Sequence, residues 1–360
     1  MHMQPDLLQE ARRQAEICNA CRYCEGYCSV FPALHAERAF SDGDLTQLAN
    51  LCHNCRGCYY ACQYTAPHEF ALNLPRALAE VRQDSWQAHA WPRGFARLFD
   101  RAGVAMAGLL VLGFAGIFTL SQALRPESGE GFYAYMSHSL MVAIFAPAFL
   151  LPLFALAVSL RAYWRTVGGG RVTLGAIVQA TKAAGQMRNL KGGHGEGCNF
   201  EDEDRFSHAR RHCHQAVLYG FLLCFAATGT ATLMHYLFGL EAPYGPLSLP
   251  KLLGVPGGVL LSLGAAGMAW LKTRADRNLG APAYWGGEMA FVLLLFLVAS
   301  TGLVLWLATG TAGVAFLLPL HLGAVLTLFL LTPFSKMAHG FYRMAALTQD
   351  AVRTSDRSGG

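Results

Sequence analysis

Hydrophobic and polar positions divide the chain near residue 97. Before that point polar and apolar residues are mixed, and the first stretch has apolar positions at roughly helical spacing. These positions are Leu7, Leu8, Ala11, Ala15 and Ile17. We predict further short helices over 44–51 and 74–81, and no segment has the alternation of a strand.

From residue 102 the pattern changes to long apolar runs separated by polar connections. The runs cover 102–124, 132–160, 214–238, 256–271, 287–309 and 313–335. Most have at least about 20 residues, enough to cross ~30 Å of hydrocarbon as a helix. We therefore predict an all-α protein with a domain over 1–97, a six-helix transmembrane bundle over 98–345 and a disordered tail over 346–360.

The composition supports a membrane protein. Of the 360 residues 53% are hydrophobic and only 14% are charged, whereas a soluble domain has about 25% charged residues. The net charge of +5 is not gathered on one segment, so nothing predicts a nucleic-acid partner. Lipid is the expected environment.

The basic residues predict the orientation of the spans. Lys and Arg concentrate before the first span, between the second and third, between the fourth and fifth, and after the sixth. Only Arg125 and Lys251 lie in the other three connections. Positive residues favour the cytoplasmic side, which predicts a multi-pass protein of the inner (cytoplasmic) membrane with both termini in the cytoplasm.

Two cysteine runs carry the clearest chemistry. "CNACRYCEGYC" from Cys18 and "CHNCRGCYYAC" from Cys52 share the spacing C-x2-C-x2-C-x3-C. The N-terminal residues lack an apolar signal-peptide region, so we expect reduced cytoplasmic thiols that are free to bind metal. This duplicated spacing is typical of proteins that hold two [4Fe–4S] clusters.

In such a pair the fourth cysteine of each run binds the other cluster. The first predicted set is Cys18, Cys21, Cys24 and Cys62, and the second is Cys52, Cys55, Cys58 and Cys28. Zinc remains an alternative, because paired C-x2-C motifs also form zinc sites. The helices around the motifs favour an α-helical ferredoxin-like domain.

Three cysteines lie outside these runs. Cys224 falls in an apolar span and is expected to be a core residue. Cys198 and Cys213 lie among His194, His208, His212 and His214. That segment is either a further metal or redox site or a loop ordered against the iron–sulfur domain.

Histidines are the main ionisable residues of the membrane part. His138, His214, His235, His321 and His339 lie in or beside the spans, with Glu288 near the start of the fifth. Ionisable residues in a bilayer are costly and usually functional, and haem iron accepts axial imidazole. We therefore expect one or two b haems.

Helical geometry predicts the pairs of ligands. His321 and His339 are 18 residues apart, which is five turns of one continuous helix. With antiparallel third and sixth spans, His214 pairs with His339 near the cytoplasm, and His235 pairs with His321 in the outer half. His138 is an alternative to His235 or a quinone-site residue, and His208 and His212 compete with His214. Glu288 and His138 are candidates for proton supply.

Several motifs are absent from the sequence. No G-x-G-x-x-G follows a strand, and there is no P-loop or nucleophile elbow. We therefore expect neither FAD nor NAD in this chain and no site that oxidises an organic substrate. A partner must supply the electrons.

The tandem cysteine runs, the segment "GCNFEDEDRFSHARRHCHQAVLYGF" and the six histidine-bearing spans resemble the tricarballylate-utilisation TcuB family, also described as citrate-utilisation CitB. The histidine pattern is also similar to the membrane cytochrome b subunit of respiratory nitrate reductase. The family resemblance implies a membrane protein with [4Fe–4S] clusters and haem b. It also implies reoxidation of reduced FAD on a TcuA-like dehydrogenase, which converts tricarballylate to cis-aconitate.

The resulting expectation is the electron-transfer subunit of a flavoprotein:quinone reductase, with quinone as its substrate. Two alternatives stay open. The first is a quinol-oxidising donor to a cytoplasmic reductase. The second is a membrane sensor or transporter gated by an iron–sulfur domain.

Overall fold

The computed structural model describes residues 3–28, 30–124, 131–201 and 205–358. Arg125, which entered the count of basic residues, lies outside these ranges, as do the last two residues of the predicted tail. Helices dominate, and in the described ranges the β-type pairing is one isolated bridge between Cys198 and Ser207. The prediction of an all-α fold is confirmed.

Five helices and their connections form the N-terminal domain. They are α1 (Pro5–Cys21), α2 (Val30–His35), α3 (Asp42–Leu51), α4 (Gly57–Tyr60) and α5 (Leu74–His89). Ser41 and Asp44 form a capping box at the start of α3, so this helix begins two residues before the prediction. Helix α5 runs past the predicted end at 81, because its last turns bury Trp86 and His89 against the bundle.

Six long apolar helices follow, and the chain is a multi-pass membrane protein. They are α6 (Phe95–Ala123), α7 (His138–Thr166), α9 (Ala209–Phe238), α10 (Leu249–Arg274), α11 (Trp285–Leu307) and α12 (Val314–Leu331). Helix α6 is kinked at Ala102. Helix α10 is longer than the predicted 256–271, because Pro256 lies inside it without ending it.

A short helix, α8 (Leu174–Gly185), lies in the connection between α7 and α9, and α13 (Ala338–Ser358) ends the chain. The prediction of one continuous helix from His321 to His339 is wrong. Helix α12 ends at Leu331, and turns cover 332–337. Pro333 explains the break, because proline has no N–H to donate and disfavours helix in the preceding residue.

The predicted disordered tail is also wrong as far as residue 358. Helix α13 packs against α3, α7 and α8. Its buried apolar positions recur about once per helical turn, at Tyr342, at Ala346 and Leu347, and at Ala351 and Val352. The polar ending of the sequence concealed this apolar stripe.

Helix α9 has two different faces. On one face, glycines bring it into close contact with α10: a Cβ added at Gly220 would lie 2.5 Å from the backbone nitrogen of Leu261. On the other face, side chains reach α7 and α13, as in the ring contacts of Phe225 with Phe149 and of His214 with His339. This second face carries the histidines of the candidate site.

Candidate redox centres

The first cysteine cavity lies under the loop that follows α1. Cys18, Cys21, Cys24, Cys62 and Cys58 line a space of about 500 Å³. Helix α1 ends at Cys21, and Arg22 adopts the left-handed conformation (φ 59°) that turns the chain. The predicted set of Cys18, Cys21, Cys24 and Cys62 is therefore brought together.

The second cavity, of about 390 Å³, is lined by Cys28, Cys52, Cys55 and Cys58. Asn54 and Arg56 have positive φ angles of 53° and 71°, which fold the loop tightly around the cysteines. Cys28 comes from the first run, so the predicted exchange of the fourth cysteines between the two sites is present in the fold. Cys58 borders both cavities, which makes them neighbours.

The thiols surround these cavities and do not converge on a point. Within the described ranges, no group of three or more His, Cys, Asp or Glu side chains is arranged to hold a single metal ion. A [4Fe–4S] cubane binds each thiolate to a different iron and so fits such a ring of cysteines. Burial, with a smaller contribution from Cys62, raises the pKa of the Cys18 and Cys24 thiols to about 12, and binding of a cationic cluster would reverse that effect.

Arginines enclose the second loop. The carbonyl oxygen of Cys52 accepts hydrogen bonds from Arg82 (2.7 Å) and Arg343 (2.9 Å). Arg210 donates to the carbonyl of Asn54 (2.7 Å), and Arg56 donates to that of Phe200 (3.1 Å). These side chains come from the domain, from α9 and from α13, so the second loop lies at the junction with the bundle.

The sequence leaves two roles open for the segment that contains Cys198. The Cys198 side chain is 1% exposed. Its thiol donates a hydrogen bond to the Leu190 carbonyl at 3.6 Å. The same thiol lies beside Cys55 and lowers the pKa of Cys55. The backbone nitrogen of Asn199 donates to the Cys55 carbonyl (3.0 Å). The loop is thus ordered against the N-terminal domain, as one of the two expectations held, and it places a further cysteine beside Cys55.

The other residues of that segment lie elsewhere. His194 contacts the ring of Tyr27 edge-on at 6.0 Å. Cys213 lies against Gly267, and Cys224 lies against Gly257, at the contact of α9 with α10. His208 and His212 stack on each other with ring centroids 5.9 Å apart, before His214 on the same helix.

His214 and His339 are brought together at the end of the bundle that adjoins the N-terminal domain. Their ring centroids are 5.8 Å apart and their planes are inclined by 69°. A bond between a metal and imidazole nitrogen is about 2 Å, so two imidazoles on opposite sides of one iron have ring centres roughly 6 Å apart. The observed separation fits such a pair.

The hydrogen bonds of the two rings agree with this fit. His339 Nδ1 donates to the Lys336 carbonyl at 2.5 Å, which leaves Nε2 with a free lone pair. Burial lowers the pKa of His339 well below its usual value, so the ring is neutral as a ligand must be. Nδ1 of His214 is buried without a hydrogen-bond partner.

The outer histidines are arranged differently from the prediction. His235 stacks on His138, not on His321, with centroids 4.1 Å apart and planes inclined by 25°. Stacked rings this close leave no room for an iron between them. His138 is thus the neighbour of His235 in the fold.

His321 lies within the bundle beside α11. Its Nδ1 is 3.1 Å from the Thr301 hydroxyl, which donates its own proton to the Leu297 carbonyl. Nδ1 of His321 must therefore be the donor. This hydrogen bond accounts for a buried histidine without any ligand.

Glu288 is held by lysines. Its carboxylate forms ion pairs with Lys272 (2.5 Å) and with Lys336, and it accepts a hydrogen bond from Gln83 at 2.7 Å. The sequence presented Glu288 as a lone membrane acid. The lysines come from the end of α10 and the turn before α13, and neither position predicted the contact.

Comparison with known proteins gives two family matches. The model described as citrate utilization protein B Fer4-like domain matches residues 11–88, and the model described as citrate utilization protein B matches residues 92–359. The chain is 41% identical over 348 residues to citrate utilization protein B of Escherichia coli, over 95% of this chain and 92% of that protein. No solved structure matches the chain. The Fer4-like match assigns iron–sulfur binding to the N-terminal domain.

Proposed function

Because the chain belongs to the citrate utilization protein B family, we propose that it carries electrons from a reduced flavin partner to quinone in the membrane. The route uses two [4Fe–4S] clusters and one b haem. When bound, these groups supply one-electron steps that connect the two-electron chemistry of flavin to that of quinone.

The observation that carries this proposal is the position of α13. His339, which faces His214, and Arg343, which donates to the Cys52 carbonyl, lie one turn apart on this helix. A single rigid element therefore joins the second cysteine loop to the histidine pair. The first cavity shares Cys58 with the second, so the three sites form a continuous series.

Each cysteine set has a defined role in this route. Cys18, Cys21, Cys24 and Cys62 would hold the entry cluster, and Cys52, Cys55, Cys58 and Cys28 would hold the inner one. Cys21 is exposed, and Tyr23 beside it is 66% exposed. This open side of the first loop is where a flavoprotein would approach within electron-transfer distance.

One haem rather than two is proposed. His214 and His339 are the residues that would hold the haem, because their rings have a suitable separation and a ring nitrogen free to bind iron. His138 and His235 stack on each other, and His321 is satisfied by Thr301. These three outer histidines are therefore assigned structural roles.

The family and the charge pattern support the partner and the orientation that we propose. A TcuA-like, FAD-dependent tricarballylate dehydrogenase is the proposed donor, on the cytoplasmic side of the inner membrane. Both termini lie on that side, because basic residues cluster in the connections that would face the cytoplasm.

The testing experiment is a reduced-minus-oxidised visible spectrum of the purified protein, with pyridine haemochrome and non-haem iron and sulfide assays. One b haem and about eight non-haem irons per chain are expected. Absence of haem would contradict electron transfer beyond the clusters. About two zinc ions per chain in place of iron would contradict the whole proposed route. Midpoint potentials measured against ubiquinone and menaquinone decide whether electrons run toward quinone or away from it.

A further inference from the structure

Helix α8 (Leu174–Gly185) lies outside the six spans and yet exposes aliphatic side chains. Leu174, Ile177 and Val178 are 77%, 43% and 44% exposed. With about 3.6 residues per turn, these three side chains lie on one side of the helix. A group of exposed aliphatic side chains marks an interaction surface, because such a group is unfavourable in water.

We propose that α8 lies in the head-group layer of the membrane and binds anionic phospholipid. Leu174, Ile177 and Val178 contact the acyl chains at the edge of the layer, and Arg171 and Lys182 contact the phosphate groups. Amphipathic helices with basic and apolar sides bind membrane surfaces in this way. The inference does not depend on the clusters, the haem or the quinone proposed above.

The side chains of α8 divide into three sectors around the helix axis. Ala176 and Ala180 are buried, and Ala176 packs against α13. Leu174, Ile177 and Val178 form the aliphatic sector described above. The polar side chains of Gln179 and Lys182 are exposed on the remaining sector. One sector thus faces protein, one suits acyl chains and one suits water and head groups.

Contacts with α9 place the end of α8 at the level where a span becomes apolar. The Tyr219 hydroxyl donates to the Gly185 carbonyl at 2.8 Å, and Arg211 donates to the Gln186 carbonyl at 3.0 Å. Between these two donors the sequence of α9 changes from the polar "ARRHCHQ" to the apolar "AVLYGFLL". The C-terminal end of α8 therefore lies beside the polar–apolar boundary of a membrane span.

Aromatic residues of the interfacial type lie at both ends of the connection that contains α8. Trp164 belongs to the last turn of α7. The chain folds back over its ring at Gly169, where an added Cβ would lie 2.2 Å from Trp164 Nε1. Tyr219 contacts the other end of α8. Because Trp and Tyr are enriched at the membrane–water interface, their positions support the placement of α8 in that layer.

The charge of the connection suits anionic lipid. Residues 161–191 include six basic residues and no acidic residue. All six are exposed, and they are Arg161, Arg165, Arg171, Lys182, Arg188 and Lys191. Clusters of four to eight basic residues beside a span attract the phosphate groups of anionic phospholipids. This charge, together with the adjoining spans, favours lipid over a second protein as the occupant of the aliphatic sector.

The first test is photo-crosslinking of the full-length protein in nanodiscs of phosphatidylcholine and phosphatidylglycerol. p-Benzoylphenylalanine replaces Val178 or, as the matched control on the polar sector, Gln179. A probe at Leu150, which is exposed on the span α7, calibrates the yield. We expect lipid adducts on the α8 peptide, several-fold more from position 178 than from 179, measured by mass spectrometry. No lipid adduct at 178 when Leu150 is labelled, or a crosslink from 178 to a second polypeptide, overturns the proposal.

The second test removes the charges. With the probe at 178 and the two lipids in equal amounts, phosphatidylglycerol adducts should exceed phosphatidylcholine adducts. The double variant Arg171→Gln, Lys182→Gln should reduce this excess about fivefold for each charge removed. Arg76→Gln, on the exposed part of α5 in the N-terminal domain, is the control and should leave the ratio unchanged. Equal adducts of both lipids, or a double variant that matches the control, overturns the assignment to anionic lipid.

Discussion

The two cysteine loops have the same spacing in sequence and different surroundings in the fold. The first loop is open, with Cys21 exposed and Arg22 projecting at the surface. The second is enclosed by Arg82, Arg210 and Arg343 and by the Cys198 thiol. The same ligands can therefore hold two clusters of different potential, because charge, hydrogen bonds and solvent exposure tune each cluster.

Positive charge and hydrogen bonds near a cluster stabilise its reduced, more negative form. The second cluster should accordingly have the higher midpoint potential, and electrons should flow from the exposed loop to the enclosed one. This direction agrees with entry from a soluble flavoprotein and exit in the membrane. The following variants test the contrast, from the largest expected effect to the smallest.

Substitution of a cluster ligand should distinguish the roles of the two loops most clearly. Cys21→Ser should abolish reduction by the flavin partner but leave dithionite reduction of the haem intact. Cys55→Ser should also block transfer from the entry cluster to the haem, by more than the roughly 10–100-fold typical of changes outside the ligand sphere. Iron and sulfide assays with EPR of the reduced protein measure both, and Cys224→Ser serves as the unaffected control. Full iron content and transfer in both variants would contradict the cluster assignment.

Removal of His339 should affect the haem and the steps after it, and should leave both clusters in place. His339→Ala should lose the b-type α-band, while both clusters remain reducible by dithionite and are no longer reoxidised by quinone. His321→Ala is the matched control, because Thr301 already satisfies that ring. The visible difference spectrum gives the result, and a haem band lost in His321→Ala and kept in His339→Ala would reverse the ligand assignment.

Removal of one enclosing charge should lower the potential of the second cluster. Arg343→Gln should shift its midpoint by about −50 to −100 mV, from the Coulomb energy of one buried charge. Arg343→Lys should restore most of the value, since the charge returns. Arg22→Gln at the exposed loop should shift the first cluster far less, because water screens its charge. EPR-monitored redox titration compares the three variants, and equal shifts at the two loops would remove the contrast.

The smallest effect is expected at Cys198. Cys198→Ala removes the thiol that lies beside Cys55, and a polar interaction of about 1 kcal/mol corresponds to roughly −40 mV. The iron content should not change, because the eight cysteines of the two runs are the proposed ligands. A loss of iron in this variant would mean that Cys198 is itself a ligand, which the same titration and iron assay would reveal.

The sequence predicted the periodic features well. Cysteine spacing predicted which thiols would meet, including Cys28 and Cys62 across the two loops, and apolar length predicted six spans. It failed where tertiary contact decides the outcome. Pro333 breaks the helix on which the pairing of His235 with His321 depended. The two lysines that hold Glu288 come from the end of α10 and from the turn before α13.

The arginines around the second loop were missed for a similar reason. Arg82, Arg210 and Arg343 are far apart in sequence, and each also fits the general excess of basic residues on one side of the membrane. Only packing of α5, α9 and α13 on one loop distinguishes them. One local signal existed: Arg343 follows His339 by one helical turn, which places the two on one face.

The position of α13 also has a consequence for biogenesis. The cysteine loops are synthesised first and the last helix is synthesised last, yet Arg343 and His339 belong to that last helix. While the chain is still being made, the second loop therefore lacks the hydrogen bonds that Arg343 donates to the Leu51 and Cys52 carbonyls. A chain truncated before α13 would emerge without these bonds and without a complete histidine pair.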